Sequence, residues 1–262
     1  MAKKKNVTIA GIDPDEWLSI DAHIDSTEEV VARKYDKKII AFLDLLAMKD
    51  LILNKKRKPG EEIEAFEIIE QIKSIVEIET RSLDRDHNFV LLQLSDSFIF
   101  TCSDEDIAQL ILLLGTIQMR ILVECKFQLR GAITYGDVYI ADEGKQIIGP
   151  AYIEAYLLQE NNAIYPRIIL SNAFVDRMGE LNHTPSGVVL SADSEDFIDY
   201  LSIYLQTESK NRTDIITHLK RQNVFSFLQQ HYNQYRSNNN YSVKQKYGWT
   251  ISYFKNKGVW PK

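Results

Sequence analysis

"IIAFLDLLAMKDLI", residues 39–52, is an apolar run with a carboxylate, Asp44, near its middle. From Lys38 to Leu46 the β-branched and aromatic content reads as a buried strand. An acid at the end of such a strand is a turn residue, a helix cap or a ligand, and the rest of the chain has to decide between them.

Working outward, a basic loop, "NKKRKPG" (54–60), leads into a helix whose expected buried stripe is Ile63, Phe66, Ile69, the stem of Lys73 and Val76. "NFVLLQLSDSFIFTC" (88–102) reads as two strands folded back about Ser95-Asp96-Ser97, a hairpin with an acid at its tip. Ser103-Asp104-Glu105-Asp106 then opens a helix through about Glu124, with Ile107, Leu110, Leu114 and Ile117 on one face. "KFQLRGAITYGDVYIA" (126–141) alternates like a strand and carries two glycines, which predict a bend or the close approach of another backbone. A helix from Pro150 to Gln159 and a strand "RIILS" (167–171) follow.

The order β, α, β, β, α, β, with a further α and β, is the split βαβ pattern of ferredoxin-like folds, and it predicts an α+β domain with an antiparallel central sheet. Residues 172–207 read as a helix, a strand ("GVVL") and irregular polar chain. The remainder is helical, with stripes at Ile215, Leu219 and Val224 and at Val243, Tyr247, Ile251 and Phe254. The expected division is an N-terminal extension (1–34), a catalytic-type domain (35–207) and helices C-terminal to it (208–262).

Composition narrows the function classes. At 262 residues and 45% hydrophobic content the chain can bury a substantial core. A net charge of −6 disfavours a nucleic-acid or membrane-surface role, and Lys3-Lys4-Lys5 reads as a solubilising tail. No signal-peptide segment and no membrane-length apolar stretch is expected, which points to a cytoplasmic protein. Cys102 and Cys125 read as small core residues, without metal-ligand spacing to histidine.

In this fold order the end of the first strand lies beside the hairpin tip, so Asp44 and Asp96 face one small volume. Two carboxylates at close range repel unless a cation stands between them, and all-oxygen ligation suits Mg²⁺ or Mn²⁺. Two such ions on two shared carboxylates are the arrangement for in-line displacement at phosphorus. After Asp44, the turn through Leu45, Leu46, Ala47 and Met48 offers backbone N–H groups to phosphates.

Four stretches together resemble the class III nucleotidyl cyclases, and within them the bacterial pyrimidine cyclases of the Pycsar anti-phage defence system. "FLDLLAM" is similar to the first metal-aspartate loop and "LSDSFIF" to the hairpin with the second. "RGAITYGDV" is similar to the strand with Arg-x-x-Ile-x-x-Gly spacing, and 148–171 to the helix-strand unit after it. The resemblance spans about residues 36–172. It implies a homodimer with two composite active sites at the interface, in which Asp44, Asp96 and the Leu45 carbonyl bind two Mg²⁺ or Mn²⁺ ions. It also implies that the 3′-hydroxyl of a nucleoside triphosphate attacks its own α-phosphate, releasing pyrophosphate. Arg130 is then the first choice for a phosphate-facing cation, with a sheet-edge salt bridge as its plain alternative, and Arg167 is the second choice.

Departures from the purine-cyclase pattern inform the substrate. Leu92 and Gln146 stand where adenine-reading residues are expected, and Ile153 and Leu157 stand where the transition-state asparagine and arginine are expected. A pyrimidine triphosphate fits this pattern; Gln146 offers a donor and an acceptor to either pyrimidine and does not choose between them, its plainer reading being an exposed residue of the polar loop "DEGKQ", and UTP is preferred to CTP only as what the resemblance implies. The resemblance further implies a separate effector that senses the cyclic nucleotide. The competing readings are a degenerate nucleotide-binding module, a diguanylate synthase, whose Gly-Gly-acid-acid-Phe hairpin is absent, and a polymerase, which the net charge disfavours.

Overall fold

The strand read around Asp44 is β1, Asp36–Leu46, in a computed structural model that describes residues 33–46, 48, 51–52, 64–83, 89–141, 146–182, 187–207, 211–237 and 240–261. The chain divides into the units Met1–Lys34 and Tyr35–Lys262, and every element named here belongs to the second. Ala47, the loop 54–60 and residues 1–32 of the N-terminal extension lie outside the described residues. Strand β1 is followed by α1 (Glu64–Leu83), the hairpin of β2 (Val90–Leu94) and β3 (Ser97–Cys102), α2 (Ile107–Arg120) and β4 (Gln128–Ala141). Then come β5 (Gln146–Ile148), α3 (Pro150–Asn161), β6 (Ile168–Leu170), α4 (Asn172–Glu180) and a hairpin of β7 (Val189–Ala192) and β8 (Glu195–Ile198). Four helices close the chain: α5 (Tyr200–Thr207), α6 (Arg212–Arg221), α7 (Val224–Ser237) and α8 (Tyr241–Asn256).

The sheet order is β2-β3-β1-β4-β6-β8-β7, with β5 paired to the far end of β4. Both neighbours of β1 run antiparallel to it, so β3 and β4 are mutually parallel with β1 between them and α2 crossing over. By the same logic β1 and β2 are parallel with β3 between them and α1 crossing over. These two interleaved split βαβ units are the expected ferredoxin-like arrangement, and the fold is α+β. The sheet is antiparallel throughout except between β4 and β6.

Alternation along β1 decides which core each residue enters. Ile39, Ala41, Leu43 and Leu45 join the large core under α1, α2 and the C-terminal helices, whereas Ile40 and Phe42 join a smaller core under α3. Asp44 has the parity of Ile40 and Phe42, so its carboxylate emerges on the α3 side at the strand's end. The C-terminal helices share the large core through Ile215, Leu219, Leu228, Ile251 and Phe254.

Three sequence expectations need correction. Phe66 is 60% exposed and the neighbouring Ala65 is buried in its place; Val76 is buried and Ile69 partly buried as expected, joined by Ile72, Ile75 and, in part, Ile68, while Ile63 lies outside the described residues. The stretch read as irregular after "GVVL" forms β8 and α5, where Phe197, Ile198, Tyr200, Leu201 and Ile203 are buried among polar neighbours. Finally, Asp104–Cys125 is long and apolar enough to cross a membrane; most of it is buried inside the protein, as the central helix against the sheet.

Of the two readings of the β4 glycines, close approach holds and the strand continues unbroken. A Cβ on Gly131 would stand 2.5 Å from a methyl of Leu43 and 2.7 Å from the Phe42 carbonyl oxygen on β1. The Leu43 tip can yield, but the Phe42 backbone cannot move without disturbing the strand that ends in Asp44. Gly131→Ala is therefore expected to cost about 1–3 kcal/mol of stability, measured by urea denaturation.

Candidate active site

The end of β1 is set by its two partners. Asp44 pairs with Ser97 of β3 on one side and with Arg130 of β4 on the other. The β3 pairing stops there, so Leu45 and Leu46 continue with a strand partner on one edge alone. Asp96 occupies the β2–β3 turn beside Ser97, where Ser95 takes a left-handed conformation (φ 57°) and the Gln93 side-chain amide donates to the Ser95 carbonyl at 3.2 Å. The register thus brings the two aspartates together.

They line a cleft of about 300 Å³ together with Leu45, Leu46, Met48, Gln128 and Arg130, and with Val243, Lys246 and Tyr247 from α8. The Asp44 carboxylate accepts from Arg130 Nε at 3.0 Å and from the buried Gln159 Nε2 at 3.4 Å, both on Oδ2. Arg130 also donates to Glu160 at 3.2 Å and to the Ala163 carbonyl at 3.4 Å. Burial pushes the Asp44 carboxyl above its usual range; Arg130 opposes this, while the charges of Asp96 and Glu160 reinforce it.

That is a donor set into which a divalent cation fits. Among the described residues no group of three or more His, Cys, Asp or Glu side chains forms a metal cluster. Two carboxylates plus a backbone carbonyl are nevertheless hard oxygen ligands of the kind Mg²⁺ and Mn²⁺ prefer, with solvent and substrate oxygens completing the shell. Both polar contacts of Asp44 among the described residues fall on Oδ2, which leaves Oδ1 to a cation.

The remaining sequence-derived residues are distributed differently. Arg130 lines the cleft and is at the same time the salt-bridging residue its plain alternative described. Arg167 does not line it. Its side chain is 3% exposed, lies 5.2–5.8 Å from the rings of Tyr165, Phe197 and Trp249, and donates to the Ala192 carbonyl at 3.1 Å. Burial lowers its pKa, and its position is that of a tie between β6, β8 and α8. Leu92 is half-buried on β2 against the smaller core. Gln146 is exposed and pairs with Ala141, at the opposite end of β4 from Arg130.

Sequence reasoning missed Gln159, Glu160, Gln128 and the α8 residues. Gln159 and Glu160 follow apolar positions in α3 and look like its polar face. Lys246 falls inside the amphipathic pattern of α8, and nothing local says that this helix folds back over the β1 end.

Among solved structures, the chain is similar to the adenylyl cyclase CyaB from P. aeruginosa, at 10% identity and TM-score 0.46, covering 63% of this chain and 93% of that one. It is also similar to the guanylyl cyclase domain of the RhoGC fusion protein from the aquatic fungus Blastocladiella emersonii, at 11% identity and TM-score 0.47, covering 63% and 95%. A bacterial light-regulated adenylyl cyclase aligns at 15% identity and TM-score 0.46, covering 67% and 98%. No family model and no curated protein matches the chain.

Proposed function

We propose that the chain is a nucleotidyl cyclase of the class III type, acting in the cytoplasm as a homodimer, that converts UTP into 3′,5′-cyclic UMP and pyrophosphate as a second messenger for anti-phage defence. The observation that carries this reading is the meeting of Asp44 and Asp96 at the end of β1, in a cleft with Arg130. The motif order along residues 36–172 supports it. Asp44, Asp96 and the Leu45 carbonyl would hold two Mg²⁺ or Mn²⁺ ions, which when bound activate the attacking hydroxyl and draw charge from the phosphates.

The chain's own residues do the rest. Arg130 and Gln159 fix the rotamer of Asp44 from one oxygen. The Arg130 guanidinium also faces the cleft as a counter-charge for phosphate. Leu45, Leu46 and Met48 form an apolar wall that limits water. In the reaction the 3′-hydroxyl gives up its proton to solvent as its oxygen bonds to the α-phosphorus, the bond from that phosphorus to the bridging oxygen breaks, and pyrophosphate departs.

Two features support a second copy in the site. Gln146 and Arg130 are separated by the length of β4, roughly 35 Å at about 3.3 Å per residue, so a nucleotide anchored at Asp44 does not reach the Gln146 of its own subunit, and any base contact from Gln146 would have to come from a second copy. The outer face of α3 is apolar, with Ile153 52% and Leu157 48% exposed, and with Tyr35 and Ile148 it lines a groove of about 1030 Å³. A separate protein that senses the cyclic nucleotide is the expected downstream partner.

The test is to incubate the protein with each of the four nucleoside triphosphates and Mn²⁺ or Mg²⁺ and to separate the products by chromatography. Cyclic UMP from UTP is the expected product. Cyclic CMP would reassign the base, and no cyclic product from any of the four would favour a degenerate nucleotide-binding module.

A further inference from the structure

We infer that one water molecule is bound behind the carboxylate cleft, bridging Gln118 of α2, Gln128 of β4 and Thr250 of α8, and that it holds the Gln128 amide with its oxygen towards the cleft, as an acceptor for a hydroxyl of a nucleotide bound there. The water stands on geometry alone, and the nucleotide contact rests on the cyclase reading above.

The orphaned atoms of a small cavity define the occupant. A space of about 10 Å³ is lined by Gln118, Gln128 and Thr250, with apolar and aromatic residues between them. That is close to the least volume that takes one water molecule. Gln118 is 3% exposed, and its Nε2 donates to the Leu129 carbonyl at 3.0 Å and to the Pro166 carbonyl at 3.1 Å. Both amide hydrogens are thereby spent, and the remaining Oε1 is buried without a hydrogen-bond partner among the described residues. Gln128 is 6% exposed, and its Nε2 is buried in the same unpartnered state.

One orphan is an acceptor, the other is a donor, and they are not bonded to each other. A bare cation would be repelled by the Gln128 N–H, and an anion by the Gln118 oxygen. Water serves both: it accepts from Gln128 Nε2 and donates to Gln118 Oε1. Its second hydrogen goes to Thr250 Oγ1, whose own hydrogen is given to the Lys246 carbonyl at 3.3 Å. Three bonds are the usual number for a buried water, and they relieve two groups that are costly to bury unpaired.

Gln128 carries this to the cleft, because it lines both spaces. It pairs with Leu46 of β1 and lies two residues before Arg130, on the same face of β4. An amide that gives its nitrogen to the cavity turns its oxygen the other way, towards the space that Asp44 and Asp96 share. Held in advance, that oxygen accepts from a sugar hydroxyl without losing rotamer freedom on binding.

A crystal structure of the full chain, at a resolution that shows ordered solvent, should place one water within hydrogen-bond distance of Gln118 Oε1 and Gln128 Nε2. Thr250 does not line the cleft, so Thr250→Val tests the link between the two spaces. It should raise KM for UTP with Mg²⁺ on the order of fivefold at nearly unchanged kcat, and weaken UTP binding in calorimetry by a similar factor. Thr250→Ser keeps the hydroxyl and should restore both. A purely structural hydroxyl would lower the urea midpoint and leave KM alone. A dry cavity, a direct Gln118–Gln128 bond, or a folded Thr250→Val protein that binds UTP as tightly as wild type overturns the inference and leaves the cyclase reading untouched. If the wild-type chain shows the water yet binds and cyclises no nucleotide, the cyclase reading falls, the nucleotide contact of Gln128 falls with it, and the water stands.

Discussion

Asp96→Ala is expected to abolish cyclic-nucleotide formation, by roughly a thousandfold or more, while the protein stays folded. The carboxylate sits in a half-exposed turn and makes no hydrogen bond or ion pair among the described residues, so little folded-state energy depends on it. Its influence inside the protein is repulsive, since its charge helps to hold the Asp44 carboxyl above its usual range. Removing it should therefore leave the unfolding midpoint unchanged or slightly raised, and let Asp44 ionise at lower pH in a side-chain NMR titration. Asp44→Ala is the less clean variant. It strands the largely buried Arg130 and Gln159 without their shared acceptor, and a lost partner in such a network costs about 1–3 kcal/mol. Cyclic product at wild-type rate from a folded Asp96→Ala protein would sink the two-carboxylate mechanism.

How much of this was legible in the sequence follows from which interactions are local. The acid in "IIAFLDLLAMKDLI" could be read as a ligand because alternation fixes the strand and a hairpin acid 52 positions later supplies a partner of the same chemistry. The cross-strand pair of Asp44 with Arg130 depends on register, which a period of two leaves open to any even shift. Arg167 was open to misassignment because its environment is assembled from Tyr165, Phe197 and Trp249, scattered over 85 residues. Strand β8 and helix α5 were hidden by polar residues such as Asp199, whose burial makes sense only with Tyr253 and Lys257 of the last helix in place. The same long-range closure puts Lys246 into the cleft. Local pattern therefore reports the ferredoxin-like core and its two acids, and tertiary packing of the C-terminal helices adds a wall that the pattern does not contain.

Ile153→Glu is the second variant with a large expected effect, and it addresses the composite site. The side chain projects from the outer face of α3 at 52% exposure, so within one subunit the substitution should shift stability by no more than about 0.5 kcal/mol. Against a second copy its consequence is different. The proposed interface would bury two new carboxylates per dimer on apolar surface, without partners, at a cost of several kcal/mol. Sedimentation should accordingly show a monomer where the wild-type chain is a dimer, and cyclic-nucleotide formation should fall at least about a hundredfold, although Asp44, Asp96 and Arg130 are untouched. Wild-type activity should also drop faster than linearly on dilution. A monomeric Ile153→Glu protein with full activity would mean that a single subunit reads the base unaided, and Gln146, at the far end of β4, would then have no part in the site.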